Sequence, residues 1–252
     1  MTSLPALGPY LIFLVSVALA TIAQNLTGFA FSLILLSLVA VFDLATIHDA
    51  ANAAMILSLA NAWAYFRLRG ASPPWRWLRP TLTGSLVGVA IGVGILTWLG
   101  NHSVQMLRAL LGASIIVCAV LLLLQRQGRS TMSPPPSFTA AGVLSGLLGG
   151  LFSTGGPPLV FHMFRQPMPA EQIRQALIAS FAFTSLARLV MVLGVGGFTM
   201  QSFWLAAGAL PVVQGITWAQ HRIGYAPSPA ALRLAVTLLL ILSGIVLLVP
   251  NG

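Results

Sequence analysis

The chain has 252 residues, of which 58% are hydrophobic and 6% charged, and its mean hydropathy is +0.95. Soluble domains carry roughly 25% charged residues, so this chain cannot cover its surface for water, and a soluble enzyme or binding domain is excluded. The net charge of +9 comes from twelve arginines and no lysine against Asp43, Asp49 and Glu171; arginines spread over short loops fit the positive-inside bias of membrane proteins, not a nucleic-acid surface.

In chain order, residues 10–20 are apolar, but no positive segment precedes them, so they read as a retained first helix and not a signal peptide. The wider stretch 9–42 is interrupted at Gln24-Asn25-Leu26-Thr27-Gly28. As a single helix its 34 residues would run ~51 Å, too long for one crossing of a ~30 Å hydrocarbon core and too short for two. A pair of short helices meeting at a non-helical turn fits it. Apolar stretches at about 45–66, 80–99 and 103–124 follow, each near the ~20 residues of a membrane span. Residues 125–137 (QRQGRSTMSPPPS) form a polar, proline-rich linker. Residues 138–164 are again interrupted, at Ser153-Thr154-Gly155-Gly156-Pro157-Pro158, and stretches at about 171–195, 201–220 and 230–249 complete the chain.

The two halves repeat one another at an offset of 127. Thr27-Gly28 returns as Thr154-Gly155, Ser58-Leu59-Ala60-Asn61 as Ser185-Leu186-Ala187-Arg188, and Gly88 as Gly215. The expected organisation is a first membrane repeat over 1–124, a cytoplasmic linker over 125–137 and a second membrane repeat over 138–252. An internal duplication in an apolar chain points to a transporter whose halves meet around a central site. If each interrupted segment enters and leaves on one side, ten of the twelve arginines fall on that side; if each counts as one span, only six do. Arginine placement therefore favours halves of opposite orientation. The expected fold is an all-α integral membrane protein built as an inverted repeat, each half a broken, re-entrant helix pair followed by three transmembrane helices.

The chain resembles the TauE/SafE sulfite exporter family, also called TSUP, which repeats G-x-x-S-G-x-x-G-x-G-G-G-x-x-x-x-P at the start of each half. The second copy here runs from Gly142 through Ser145, Gly146, Gly149, Gly150, Gly155 and Gly156 to Pro157-Pro158, with the Gly-Gly pair arriving late; the first copy is the shorter Gln24-Asn25-Leu26-Thr27-Gly28-Phe29. The Ala-rich helix after each copy, the arginine-bearing loop at 67–79 and the glycine-spaced helix at 84–94 also look like the family. The resemblance implies a multi-pass protein of the bacterial inner membrane that carries a small anion such as sulfite or an organosulfonate. A non-transport assembly or sensor subunit is the alternative reading. No cofactor or metal motif is present, and the single Cys118 offers neither a disulfide nor a cysteine-based metal site. The oligomeric state is not legible. No His-Glu-x-x-His, Gly-x-Ser-x-Gly or intramembrane carboxylate pair suggests catalysis.

Binding an oxyanion inside a membrane calls for desolvated donors. Helix N-termini at the two breaks supply backbone N–H groups, Asn25 and Thr27 or Ser153 and Thr154 add side-chain donors, and Gly28, Gly155 and Gly156 permit close approach. Ser180, Thr184 and Arg188 form a polar stripe at i, i+4 and i+8. Arg188 either faces a substrate path or snorkels ~9 Å to the interface; its repeat equivalent is Asn61. Gln214 offers a further neutral donor or an interhelical hydrogen bond. His48 and Asp49 are candidates for a proton relay, or belong to a solvated loop with a helix-capping Asp. His162 reads as a packed histidine, His102 and His221 as residues at helix ends, and the six tryptophans as an interfacial belt.

Overall fold

A computed structural model describes residues 7–70, 73–100, 104–123, 129–153, 156–223, 238 and 241. These residues are all-helical wherever they are regular, with α1 (Leu7–Thr27), α2 (Phe31–Val41), α3 (Ile47–Arg69), α4 (Trp75–Gly100), α5 (Val104–Leu123), α6 (Pro135–Phe152), α7 (Pro157–Phe164), α8 (Ala170–Gly194) and α9 (Met200–Ile223). Shifting the bounds of α1 to α4 by 127 lands within four residues of every bound of α6 to α9. The last apolar stretch, 230–249, and His102 lie outside the described residues except for Leu238 and Ile241.

Both interruptions occur where the sequence places them, but the first segment does not consist of two short helices. α1 has 21 residues, and Gly8–Thr27, Trp75–Leu99 and Ala170–Gly194 are long and apolar enough to cross a membrane. The break follows Thr27, so nearly the whole thickness is spent on α1 and only the 11 residues of α2 return.

The ends are written in local chemistry. Thr46 N-caps α3 by accepting from the Asp49 N–H at 3.0 Å, and Gly70, in the left-handed region, ends it. α6 starts behind Pro134 with Pro135 in its first turn and stops at Ser153, whose φ of 58° is also left-handed.

Side-chain contacts fix the helix directions. Tyr65, near the end of α3, donates to Glu171 at the start of α8 at 2.8 Å, and Arg188, near the end of α8, reaches the Ala51 carbonyl near the start of α3 at 3.0 Å. α3 and α8 are therefore antiparallel. α9 runs with α3, since Ser202 donates to Asp49 and Thr217 to Asn61. It also runs with α1, whose Tyr10 lies against Gly208 and whose Asn25 bonds Thr217. α4 and α6 run parallel in the closest seam of the molecule. Gly84, Gly88 and Gly92 face Thr139, Val143–Leu147 and Leu147–Leu151, and Gly142, Gly146 and Gly150 return the contact. A Cβ at Gly88 would overlap the Val143 carbonyl oxygen, so only glycine lets the backbones approach this far.

α3 lies at the centre, with buried residues on every side, including Asn52, Ser58 and Asn61. The outer helices carry apolar side chains to the surface instead: Leu11, Val15 and Leu19 on α1, Val87 and Ile91 on α4, Leu186, Val190 and Leu193 on α8. That is the pattern of a lipid-facing exterior. Trp63, Trp75, Trp98, Trp204 and Trp218 are exposed near helix ends as a belt requires, whereas Trp77 is half-buried and stacks on Phe138 at 5.5 Å.

Candidate functional site

The first break is built by Thr27, Gly28 and Ala30. The Thr27 hydroxyl donates to the Ala23 carbonyl at 2.7 Å and accepts from the Phe29 N–H at 3.1 Å, satisfying backbone that leaves the helix inside the protein. Gly28 has φ +84°, and a Cβ there would stand 3.0 Å from the Arg174 backbone on α8. Gly28 thus admits the first turns of α8 at close range. Ala30, also left-handed at φ 77°, starts α2 without a side-chain cap. The second break runs from Ser153 to Gly156; Thr154 and Gly155 lie outside the described residues.

The two breaks share one cavity. It is partly open, with about 270 Å³ of atom-free space when open solvent is included, and is lined by Gln24, Ala30 to Leu33, Ser58, Ser153, Gly156 and Phe181. Ser58 is the twelfth residue of the 23 in α3 and Phe181 the twelfth of the 25 in α8, so the cavity lies at the midpoint of both helices. Phe31, Ser32 and Leu33 are the first turn of α2, and their N–H groups have no intrahelical acceptor. With the helix dipole they give this wall a positive potential. α7 matches it poorly, because Pro157 and Pro158 occupy the corresponding first-turn positions and carry no N–H. On the α7 side the donor is instead the Ser153 hydroxyl, 8% exposed and without a partner among the described residues.

Arg188 is fully buried at 0% exposure, so it does not snorkel. Its Nε donates to the Gly150 carbonyl at 2.9 Å and its Nη1 to the Ala51 carbonyl at 3.0 Å and Met55 Sδ at 3.4 Å, while Nη2 has no partner among the described residues. Gly150 is in the last turn of α6, whose carbonyls lack helical donors, so the guanidinium serves as a C-terminal cap carrying a full charge. No carboxylate pairs with it among the described residues: Glu171 binds Arg174 and Tyr65, and Asp49 binds Thr46, Thr199 and Ser202. Arg188 does not line the cavity, but Gly150 and Ser153 are three residues apart, ~4.5 Å along the helix axis. An uncompensated buried cation one turn from a cavity wall draws an anion toward that wall.

Asn61, its repeat equivalent, is equally buried but neutral, and it is held by side chains. Its Nδ2 donates to Gln24 Oε1 at 2.7 Å and Asn25 Oδ1 at 3.0 Å, and its Oδ1 accepts from the Thr217 hydroxyl at 2.6 Å. Asn25 in turn donates to Thr217 Oγ1 at 3.0 Å and Gln220 Oε1 at 2.8 Å, and Gln24 donates to Ser58 at 3.3 Å.

The remaining candidates lie apart from the cavity. Thr184 donates to the Ser180 carbonyl of its own helix, and Gln214 makes an interhelical bond to the Ala60 carbonyl at 3.2 Å. His48 bonds the Gly197 carbonyl at 2.8 Å, while Asp49 accepts from Thr46, Thr199 and Ser202, so no hydrogen bond joins this pair. Asp49, expected as a solvated helix-capping residue, is instead a buried link between α3 and α9 at 6% exposure, and Thr46 caps the helix. His162 packs edge-on against Phe138 at 4.6 Å.

Sequence reasoning anticipated the helix N-terminus at the first break but did not select Gln24, Ser58, Thr217 or Gln220. Spacing held part of the signal: Ser58 and Asn61 lie at i and i+3, and Gln214, Thr217 and Gln220 form a ladder with the same step.

Comparison with known proteins identifies the family. The profile of the sulfite exporter TauE/SafE family matches residues 12–247. A protein of Cupriavidus necator described as "Probable sulfite/organosulfonate exporter TauE" is 32% identical over 230 residues, covering 91% of this chain and 90% of the relative. No solved structure matches.

Proposed function

Because the chain belongs to the TauE/SafE sulfite exporter family, we propose that it moves sulfite or a small organosulfonate out of the cell by alternating access around the central cavity. The observation that carries the reading is the cavity itself: two broken segments, one from each half, meet at the midpoint of α3 and α8. It presents donors without a built-in counter-anion. The first-turn N–H groups of α2 and the hydroxyls of Ser58 and Ser153 contact the oxyanion; Arg188, behind Gly150, supplies fixed positive charge. Neutral donors solvate an ion that must also leave, and a cation one turn away attracts it without a contact ion pair.

The antiparallel course of α3 and α8 and the matched helix bounds support the inverted repeat, and with it a site reached from either side by rocking one half against the other. In that orientation the segments 67–79, 125–137, 165–174 and 221–233, helix ends included, face the cytoplasm and hold ten of the twelve arginines. With a negative interior, export of each anionic charge gains ~2.3 kcal/mol per 100 mV, so efflux needs no coupled ion.

The test is flux of radiolabelled sulfite in proteoliposomes at both signs of membrane potential, with methanesulfonate as competitor. Saturable flux favoured by the exporting sign supports the reading. Absence of flux with either sign returns the protein to a non-transport role, and full flux in a Ser58→Ala, Ser153→Ala double variant moves the site away from the central cavity.

A further inference from the structure

A second, partly open cavity, with about 210 Å³ of atom-free space when open solvent is included, lies at the ends of α3 and α9 and is lined by Asn25, Tyr65, Leu68, Arg69, Thr217, Gln220 and His221. Its floor is made of the buried polar side chains Asn25 and Thr217, and its mouth of the exposed Arg69 and His221. Arg69 lies over the Tyr65 ring at 5.1 Å and has no carboxylate partner among the described residues, because the neighbouring Glu171 is taken by Arg174 at 2.9 Å.

The two cavities are one residue layer apart. Gln24 and Ser58 line the central one, Asn25, Thr217 and Gln220 line the second, and Asn61 lines neither but bonds Gln24 on one side and Asn25 and Thr217 on the other. Asn61, Asn25 and Thr217 form a closed ring: Asn61 donates to Asn25, Asn25 to Thr217 and Thr217 to Asn61. A ring of neutral donors and acceptors is fully satisfied when shut. Once opened, it offers each donor to a passing oxyanion.

We infer that the second cavity is a cytoplasmic vestibule where the oxyanion is held before it crosses, and that the Asn25–Asn61–Thr217 ring is the gate to the central cavity. The inference rests on the export reading for its direction. Arg69 and His221 also offset the negative ends of the α3 and α9 dipoles, a role that needs neither a cavity nor buried donors beneath it. The walled pocket above Asn25 and Thr217 is what that role leaves unexplained.

The experiment uses the full chain with Cys118→Ala and a reporter, Leu68→Cys, on the vestibule wall. Maleimide alkylation is timed in detergent with methanesulfonate against chloride at equal ionic strength. Methanesulfonate slows labelling about threefold at a concentration near twice its Kd, and Arg69→Gln, a change at an exposed side chain, abolishes the protection. Equal rates in both salts, or protection that survives Arg69→Gln, overturn the vestibule. For the gate, Leu33→Cys on the central cavity is labelled by an impermeant maleimide from the cytoplasmic side. Asn61→Ala raises that rate about tenfold, the effect of weakening the shut state by ~1.4 kcal/mol; an unchanged rate overturns the gate. Sulfite flux is measured on the same preparations. Flux without protection sinks the vestibule and leaves the exporter, whereas protection without flux does the reverse.

Discussion

Asn61 and Arg188 occupy the same position of the repeat, and the surroundings of each show how one scaffold makes two different devices. Both are fully buried, and both reach toward the last turn of the first helix in their own half, Asn61 to Gln24 and Asn25 of α1, Arg188 to Gly150 of α6. Asn61 is tied by neutral side-chain hydrogen bonds, each worth ~0.5–1.5 kcal/mol net, so a few can be exchanged for bonds to an ion. Arg188 is tied to two main-chain carbonyls, and moving it would strand a buried charge at several kcal/mol. The neutral side is suited to open, and the charged side to stay still.

The most direct way to break this comparison is Arg188→Met. The expected result is a ~100-fold loss of sulfite flux, since losing the field of the buried charge costs the bound ion about 2–3 kcal/mol, with Arg188→Lys intermediate. Proteoliposome flux checks it, and a thermal melt in detergent controls for folding. Wild-type flux in the folded Arg188→Met protein would reduce Arg188 to a helix cap.

The next largest effect is on stability, at another repeat pair. Gly88→Ala forces a Cβ into the Val143 carbonyl and is expected to destabilise by about 2–3 kcal/mol, whereas Gly215→Ala, with nothing within 4 Å of its Cβ, stays within ~0.5 kcal/mol. Thermal melts of the two variants decide this. Equal melts would mean that the α4–α6 seam is no tighter than its counterpart.

Asn61→Ala sharpens the comparison from the other side. It removes three bonds and strands Gln24, Asn25 and Thr217, costing about 1–3 kcal/mol in the shut state. Flux persists, the melting temperature falls and the central cavity becomes easier to label from the cytoplasmic side. Loss of flux without increased labelling would make Asn61 a fixed anchor like Arg188.

The smallest effect is expected for Ser153→Ala. Its hydroxyl has no partner to lose among the described residues, so stability is unchanged while the half-saturation for sulfite rises about fivefold, one neutral hydrogen bond. An unchanged half-saturation would remove Ser153 from the site.

The sequence by itself determined the class and the punctuation of this protein. Hydropathy marked the helices, the Gln-Asn-Leu-Thr-Gly and Ser-Thr-Gly-Gly-Pro-Pro runs marked the breaks, and the offset of 127 anticipated the bounds of α6 to α9 from those of α1 to α4. These are local properties, set by the transfer energy of each side chain and by the backbone freedom of glycine and proline, and they are readable before anything packs.

What each polar residue faces was decided only by the tertiary structure. Arg188 is a buried cap and not a snorkel because α3 and α6 close over the face of α8 that carries it. Gly28 meets Arg174 instead of the cavity, while Gln24, Ser58, Thr217 and Gln220 become functional candidates because α1, α3 and α9 converge. In a membrane, a polar side chain on an apolar helix must find a partner inside the protein. That partner comes from a helix distant in sequence, so its identity is a property of the packing.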